Sequence, residues 1–346
     1  RNDAGGIMKA IVIREFGGPE VMRVEEVPTP DPGPGEVLIQ VAAVSVNRTL
    51  DIIVRTGKYA RPVNLPHVLG VDPTGTVVAL GPGVTKRKLG DRVCISSRRV
   101  VRKPGEPMTM LGIDSWGGYA QYVVLNEDIT AVIPDEIDFH TATVVARHAP
   151  LAFNQVRSKA QLKEGDWALV MGATGGLGSI IVQAASVYGA NIIAAAGADE
   201  RVEAAKKLGA QHGVNYRKQD LTEEVMKLTG RRGVDVVFEN IADPELFPKA
   251  LASLRRGGKL FTAGAHGGPI VPLNVSTLYM NEISIIAGTG HTTEDVEAAL
   301  DAAARGKLTM LIDRVMPLSQ ASEAHRLVEG REITGKVLLT PDGALG

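Results

Sequence analysis

The feature that most constrains this chain is a glycine-rich turn set between a short apolar run and an amphipathic one. Trp167-Ala168-Leu169-Val170-Met171 has the look of a buried strand. Ser179 to Tyr188 carries apolar residues at helical spacing. Between them lies Gly172-Ala173-Thr174-Gly175-Gly176-Leu177-Gly178. Strand, turn and helix together read as the opening of a dinucleotide-binding βαβ unit. The glycines let the turn tighten and let backbone N–H groups approach a pyrophosphate at the positive end of the helix. A glycine pattern alone also fits a structural loop, and the flanking strand and helix are what favour the cofactor.

The texture on either side of Pro134 differs. From Met8 to Pro134, short apolar runs such as Val37 to Val44, Gly75 to Leu80 and Asp91 to Ile95 are broken by glycine and proline clusters. That pattern predicts a β-rich, barrel-like body. Beyond Pro134, helical and strand patterns alternate. Helices are expected over 144–159, 179–189, 199–208, 244–254 and 293–304, and strands over 167–171, 191–196, 234–238, 259–263 and 283–287. Such a rhythm predicts a doubly wound parallel sheet, making the chain α/β. The tail from Ile312, ending on Lys336-Val337-Leu338-Leu339, is expected to return to the first body.

Charge and cysteine content narrow the partners. The 346 residues suffice for two cores, and Lys+Arg 38 against Asp+Glu 39 gives no pull toward nucleic acid or an anionic membrane. Cys94 is the only cysteine, so neither a disulfide framework nor a cysteine-built zinc site is possible, as suits a reducing cytoplasm. No apolar run is long enough to span a membrane. Met8 opens the first strand-like pattern, so it is expected to be the native start with the seven residues before it foreign; a genuine, disordered N-terminus is the alternative.

Several motifs now carry a resemblance: Pro34-Gly35-Glu36-Val37-Leu38-Ile39, Gly81-Pro82-Gly83-Val84-Thr85, Leu89-Gly90-Asp91-Arg92-Val93, Gly117-Gly118-Tyr119-Ala120-Gln121-Tyr122 and Gly335-Lys336-Val337. In order and spacing the chain resembles the medium-chain dehydrogenase/reductase superfamily, and its glycine turn looks most like the quinone oxidoreductase branch. The resemblance implies a GroES-like catalytic domain over 8–134, completed by 312–346. A Rossmann domain at 135–311 is inserted in it, with the active site in the cleft and a homodimer formed through late strands such as 283–287. A short-chain dehydrogenase would need lysine four residues after its catalytic tyrosine, and no tyrosine here has one.

The zinc enzymes of this superfamily bind a catalytic metal through Cys, His and usually a second Cys. Those positions read Asn47, Val71 and Arg147 here, and the Glu beside the His becomes Asp72. The structural-zinc lobe would fall in 95–116, without its cysteines. The resemblance therefore implies a zinc-independent reductase that passes hydride to a small-molecule electron acceptor, a quinone or α,β-unsaturated carbonyl compound. An enoyl-thioester reductase and a non-catalytic NADPH-binding sensor are the alternatives. Asn47 matches an asparagine placed near the nicotinamide ribose or acceptor, or is simply a polar residue at a strand end, and Asn47-Arg48-Thr49-Leu50-Asp51 has one residue more than usual before its Asp. Arg147 or His148 could donate to a developing enolate or hydroquinone oxygen, or could simply form an ion pair. Asp72 is a proton relay or a structural acceptor. The run Arg98-Arg99-Val100-Val101-Arg102-Lys103 could hold a CoA phosphate or be a solvated loop.

The second Rossmann strand of an NAD-specific unit ends on an acid that holds the ribose 2′-OH. Here Ala196 takes that place, before Gly197. By resemblance, Arg201 and Tyr216 belong to the 2′-phosphate pocket, so NADPH is the expected cofactor; an ordinary helix-surface role for Arg201 is the alternative. Asn240, Gly264-Ala265 and Thr289-Gly290 follow later strands and should face the nicotinamide side, although Asn240 could be a turn residue.

Overall fold

The structure is a computed structural model, and it describes residues 6–97, 99, 100, 105 and 107–342. Most of the basic run at 98–103, and five of the seven residues before Met8, lie outside the described residues. The chain divides into two compact units, one of Arg1–Arg147 with Thr309–Gly346 and one of His148–Leu308.

The first unit is built on the strand Glu36–Ser45. It pairs antiparallel with Thr74–Leu80, Tyr122–Asn126 and Lys336–Thr340 in a seven-stranded sheet. Its first half puts Val37, Ile39 and Val41 into a core with Val77, Val93, Val123 and Leu125. Its second half feeds a different core, where Val44 and Val46 meet Ile11, Val68, Tyr119, Val337 and Leu339. The tail reaches that sheet through Ile312–Pro317, the helix Ala321–Gly330 and Lys336–Thr340, whose two strands run parallel.

That last helix is tied in by a buried polar network. Arg55, 1% exposed, bonds His325 Nδ1 at 2.9 Å, Glu329 at 2.5 Å and the Gly17 carbonyl at 3.1 Å. A guanidinium can only donate, so Nδ1 accepts and the Nε2–H donates to the Tyr119 hydroxyl at 3.0 Å. Burial and the Arg55 charge push His325 down to about 3, which keeps its ring neutral.

The chain up to Arg147 stays with this unit for local reasons. Thr143 Oγ1 lies 2.7 Å from Thr74 Oγ1, and the Arg92 guanidinium sits 4.6 Å over the Phe139 ring. The helix expected over 144–159 begins earlier, at Phe139, and breaks after His148. Pro150 has no N–H to continue the ladder, and a π turn over Asn154–Lys159 ends the segment.

The second unit holds a six-stranded, all-parallel sheet. Across it stand His212–Asn215, Asn191–Ala196, Trp167–Met171, Val234–Phe238, Leu254–Thr262 and Ser284–Ala287. The strand order reverses between Trp167–Met171 and Val234–Phe238, the switch point at which such sheets open a crevice for a dinucleotide. Leu169, Ile193, Val237 and Leu260 are fully buried, as the inner strands of a covered parallel sheet must be. One helix is shorter than its pattern. Asp243 takes the N–H groups of Glu245 and Leu246, so the turn starts at Leu246, and by Leu254 the chain is already strand. Among the described residues no helix is long and apolar enough to cross a membrane.

Asp295 anchors the helix Thr293–Ala304. It closes a capping box with Thr292 and accepts from Asn154, Ser158 and Arg157 at 2.8, 2.7 and 3.2 Å. Its carboxyl is held below the usual range by those bonds despite burial. Asp295→Ala is expected to lower the stability of the second unit by about 2 kcal/mol or more, through the lost cap and three orphaned donors. Urea unfolding checks this.

Candidate active site

In the first unit the chemistry gathers where the strand Glu36–Ser45 ends. Val46 and Asn47 continue extended, with Asn47 at φ −103 and ψ 114, and then the chain turns sharply. The turn Arg48–Ile52 is a π turn in which the Ile52 N–H reaches back to the Asn47 carbonyl at 3.4 Å. A π turn takes up one residue more than an α turn. The extra residue between Asn47 and Asp51 is absorbed there, and the Asp51 carboxylate still caps the Asn47 N–H at 2.8 Å and takes the Gly70 N–H at 3.1 Å.

Asp72 is the centre of the cluster. Only 3% exposed, it accepts from the Ser45 N–H at 2.9 Å, from the Ser45 hydroxyl, and from Asn47 Nδ2 at 3.2 Å. With its amide nitrogen turned to a carboxylate, Asn47 must aim Oδ1 the other way. There it accepts from Arg147 Nε at 3.1 Å. Exchanging the amide O and N would set oxygen against carboxylate and nitrogen against guanidinium, so the network fixes the orientation.

The charges are arranged unevenly. Burial raises Asp72, opposed by the Ser45 bonds and by the Arg147 charge. Burial, and then the Asp72 charge, pushes Asp51 up to about 7. His148, the first residue of the second unit, is half-buried. Asn47, Asp72 and Arg147 are thus brought into one bonded cluster. Ser45, Asp51 and the nearby Lys336 belong with them, although the sequence pointed to none of the three as a site residue. Ser45 and Asp51 are near neighbours of Asn47, whereas Lys336 is remote in sequence.

In the second unit, Gly175 caps the helix Gly176–Val187. At Gly178 a Cβ would lie 2.1 Å from the Gly172 carbonyl oxygen, so only glycine lets the helix start against the turn. Ala173 is buried, Thr174 and Leu177 are half-buried, and Gly175 and Gly176 are exposed. The first-turn N–H groups of this helix have no intrahelical acceptor. Across the switch point stands Asn240, whose Oδ1 accepts from the Ala263 N–H at 2.6 Å. Its Nδ2 is buried with no partner among the described residues. An orphaned donor at the crevice end of the sheet, beside a helix start with no side-chain cap, is what a bound dinucleotide would satisfy. Gly264 packs its Cα onto the Asn240 carbonyl, and Ala265, Thr289 and Gly290 are exposed after their strands.

At the end of the second strand, Ala196 accepts from the Tyr216 N–H at 3.2 Å. Gly197 faces the Tyr216 ring and the Arg217 guanidinium, each 3.1–3.2 Å from where its Cβ would be. Asp199, the nearest acid, is consumed by Asn215 at 2.8 Å and Lys218 at 2.6 Å. Arg201 is exposed and makes no ion pair among the described residues. Arg217 is a basic residue that the sequence reading passed over, although it adjoins Tyr216.

Comparison with known proteins adds the following. Residues 33–135 match the family described as alcohol dehydrogenase GroES-like domain, and residues 176–305 match zinc-binding dehydrogenase. The chain is similar to human (Homo sapiens) quinone oxidoreductase, 31% identical over 341 residues, covering 96% of this chain and 98% of that one. It is 29% identical over 351 residues to a 2-haloacrylate reductase of Burkholderia sp, covering 97% and 99% of the two chains. A solved mycobacterial quinone oxidoreductase superposes with a TM-score of 0.81 at 31% identity, over 96% of this chain and all of that one.

The raised Asp51 carboxyl has a consequence for stability. Folded, it keeps its proton up to about 7; unfolded, it loses it near 3.8. Its contribution therefore falls as pH rises through that window. Asp51→Asn removes the fall, so the melting temperature of the variant relative to the parent should climb from pH 4 to pH 7. A difference that stays flat across that range would contradict the assignment.

Proposed function

The chain belongs to the medium-chain dehydrogenase/reductase superfamily, and we propose that it is a zinc-independent, NADPH-dependent reductase of quinones or α,β-unsaturated carbonyl compounds. The observation that carries this reading is the Arg147 guanidinium bonded to Asn47 at 3.1 Å. By the resemblance, those two residues and Val71, which is buried, correspond to the positions at which the zinc enzymes keep their ligands. An amide is a poor zinc ligand, a valine is none, and a guanidinium repels the ion. The donor set does not fit zinc.

The second unit fits a dinucleotide through the Gly172–Gly178 turn and the orphaned Asn240 donor. NADPH rather than NADH is supported by the missing strand-end acid at Ala196, by Tyr216 and Arg217 beside Gly197, and by the exposed Arg201 four residues further along the chain. A planar guanidinium suits a 2′-phosphate. When bound, the cofactor supplies a hydride. The chain's own part is to hold the acceptor oxygen. As negative charge builds there, the N–H donors that Arg147 does not spend on Asn47 stabilise it, and a proton from water completes the two-electron reduction. The human quinone oxidoreductase and the Burkholderia 2-haloacrylate reductase to which the chain is similar support this acceptor class.

The reading extends to a homodimer. The strand Ser284–Ala287 ends the parallel sheet with one edge unpaired, and Ile270, Val275, Tyr279 and Met280 beside it in sequence are each more than half exposed. A bare edge flanked by apolar side chains is a pairing surface. Light scattering should give twice the chain mass, and Ile285→Lys should shift it toward one chain.

The function is tested by following NADPH oxidation with quinones and enones. Consumption with either class, and substoichiometric zinc by metal analysis, are the expected results. No consumption with any acceptor would sink the reductase reading. Arg201→Ala should lower the NADPH-to-NADH ratio of kcat/KM by about tenfold or more, the worth of one charge-assisted bond. An unchanged ratio would remove Arg201 from the phosphate pocket.

A further inference from the structure

The strand Val234–Phe238 runs straight into a buried acid that no cation meets. Glu239 is 0% exposed, and among the described residues no lysine, arginine or histidine lies at ion-pair distance from it. A carboxylate taken out of water is costly unless other donors replace the water. Here the backbone of the next turn supplies them. Oε1 accepts from the Ile241 N–H at 3.1 Å, and Oε2 accepts from the Ala242 N–H at 3.0 Å. Burial raises this carboxyl, and the Ala242 and Ile241 N–H groups oppose it.

The turn depends on the acid in return. Ala242 stands at φ 59, in the left-handed region where a residue with a Cβ is strained. Such a backbone persists only where its surroundings hold it, and the Glu239 carboxylate takes the Ala242 N–H directly.

Asn240 lies between the anchoring acid and the two anchored residues. Its Oδ1 accepts from the Ala263 N–H at 2.6 Å, and its Nδ2 is left buried without a partner among the described residues. Close backbone packing fixes it from both sides. A Cβ on Gly264 would lie 2.5 Å from the Asn240 carbonyl oxygen, and the Gly267 N–H donates to the Ile241 carbonyl at 2.6 Å. Ile241 also packs on the first glycine of the Gly172–Gly178 turn, 3.2 Å from where a Gly172 Cβ would be. One buried carboxylate therefore holds the turn that joins the orphaned donor to the glycine turn across the switch point.

We propose that Glu239 is a positioning residue for the dinucleotide: by pinning the Ile241–Ala242 turn it holds the Asn240 amide with its free N–H donors toward the crevice. The proposal rests on the dinucleotide reading and adds to it a residue that acts through Asn240. As a direct ligand Glu239 would be ill suited. Its oxygens already face backbone N–H groups, and a carboxylate repels a pyrophosphate.

A double-mutant cycle read by the fluorescence of bound NADPH separates aiming from mere stabilisation, without turnover. Asn240→Ala should raise Kd about tenfold through the lost donor. Glu239→Met removes both acceptors and fills similar space. It should raise Kd by a similar factor in the parent, yet by less than about twofold in the Asn240→Ala background, where no donor remains to be aimed. Glu239→Gln keeps an oxygen for the turn and should restore most of the affinity. If the methionine variant does not fold, Glu239→Ala takes its place in the cycle. Equal losses in the two backgrounds mark a purely structural role and overturn the proposal. An unchanged Kd in Asn240→Ala or in Glu239→Met overturns it too, and in each of these cases the dinucleotide reading stands. A parent protein that binds neither NADPH nor NADH sinks both.

Discussion

A carboxyl group taken out of water must be given hydrogen bonds, and much of the first unit's chemistry follows from meeting that demand at Asp72. Leaving a buried carboxylate without donors would cost several kcal/mol. The Ser45 N–H, the Ser45 hydroxyl and the Asn47 amide nitrogen meet it. Because the nitrogen end of Asn47 is then committed, its oxygen faces Arg147 and fixes one edge of the guanidinium. A single buried acid thereby aims a cation that it does not itself touch. The strand end, the π turn and the tail strand converge on this point, and Asp72 itself sits on the short connection before the strand Thr74–Leu80.

The second unit meets a constraint of distance. The Gly172–Gly178 turn brings backbone against backbone, and any side chain at Gly178 would collide with the Gly172 carbonyl. That closeness leaves the helix start bare, with donors and a partial positive charge directed outward. Away from the turn, the sheet closes its own polar accounts. Asp235 takes the Trp167 N–H, Arg232 and Arg255, and Glu239 takes the N–H groups of Ile241 and Ala242. The buried Asn240 Nδ2 is left over, and it lies at the switch point. Asn154 Oδ1 and Gln155 Oε1 are also buried without a partner among the described residues, so it is its place at the switch point that ties the Asn240 donor to a ligand.

What could be read from the sequence, and what could not, follows from the range of the interactions. The strand Trp167–Met171, the glycine turn and the strand Asn191–Ala196 were legible because local periodicity and steric need determine them. The two-unit organisation with a GroES-like body was legible through motifs at fixed spacing. The extra residue before Asp51 looked like a departure from the pattern. Only the backbone shows that a π turn absorbs it and returns Asp51 to the Asn47 N–H. Lys336 was visible only as part of a motif, since its place opposite Asn47 depends on strand register over most of the chain. The start of the helix Leu246–Ala252 depends on where Asp243 points, which periodicity does not report.

On the reading proposed above, a fixed cation stands where relatives hold a metal, and the exchange narrows the chemistry. A bound zinc ion accepts an electron pair directly and can turn an alcohol or water into a good nucleophile. A guanidinium can do neither; it only donates hydrogen bonds to an oxygen that is already negative or is becoming so. Reactions that must first deprotonate an alcohol are therefore disfavoured. Hydride addition to a conjugated acceptor, where the charge arrives with the hydride, remains open. The Asn47 amide between Arg147 and Asp72 matters for the same reason. It keeps the guanidinium near a buried acid without letting the two form a closed ion pair, so the cation stays available to a ligand.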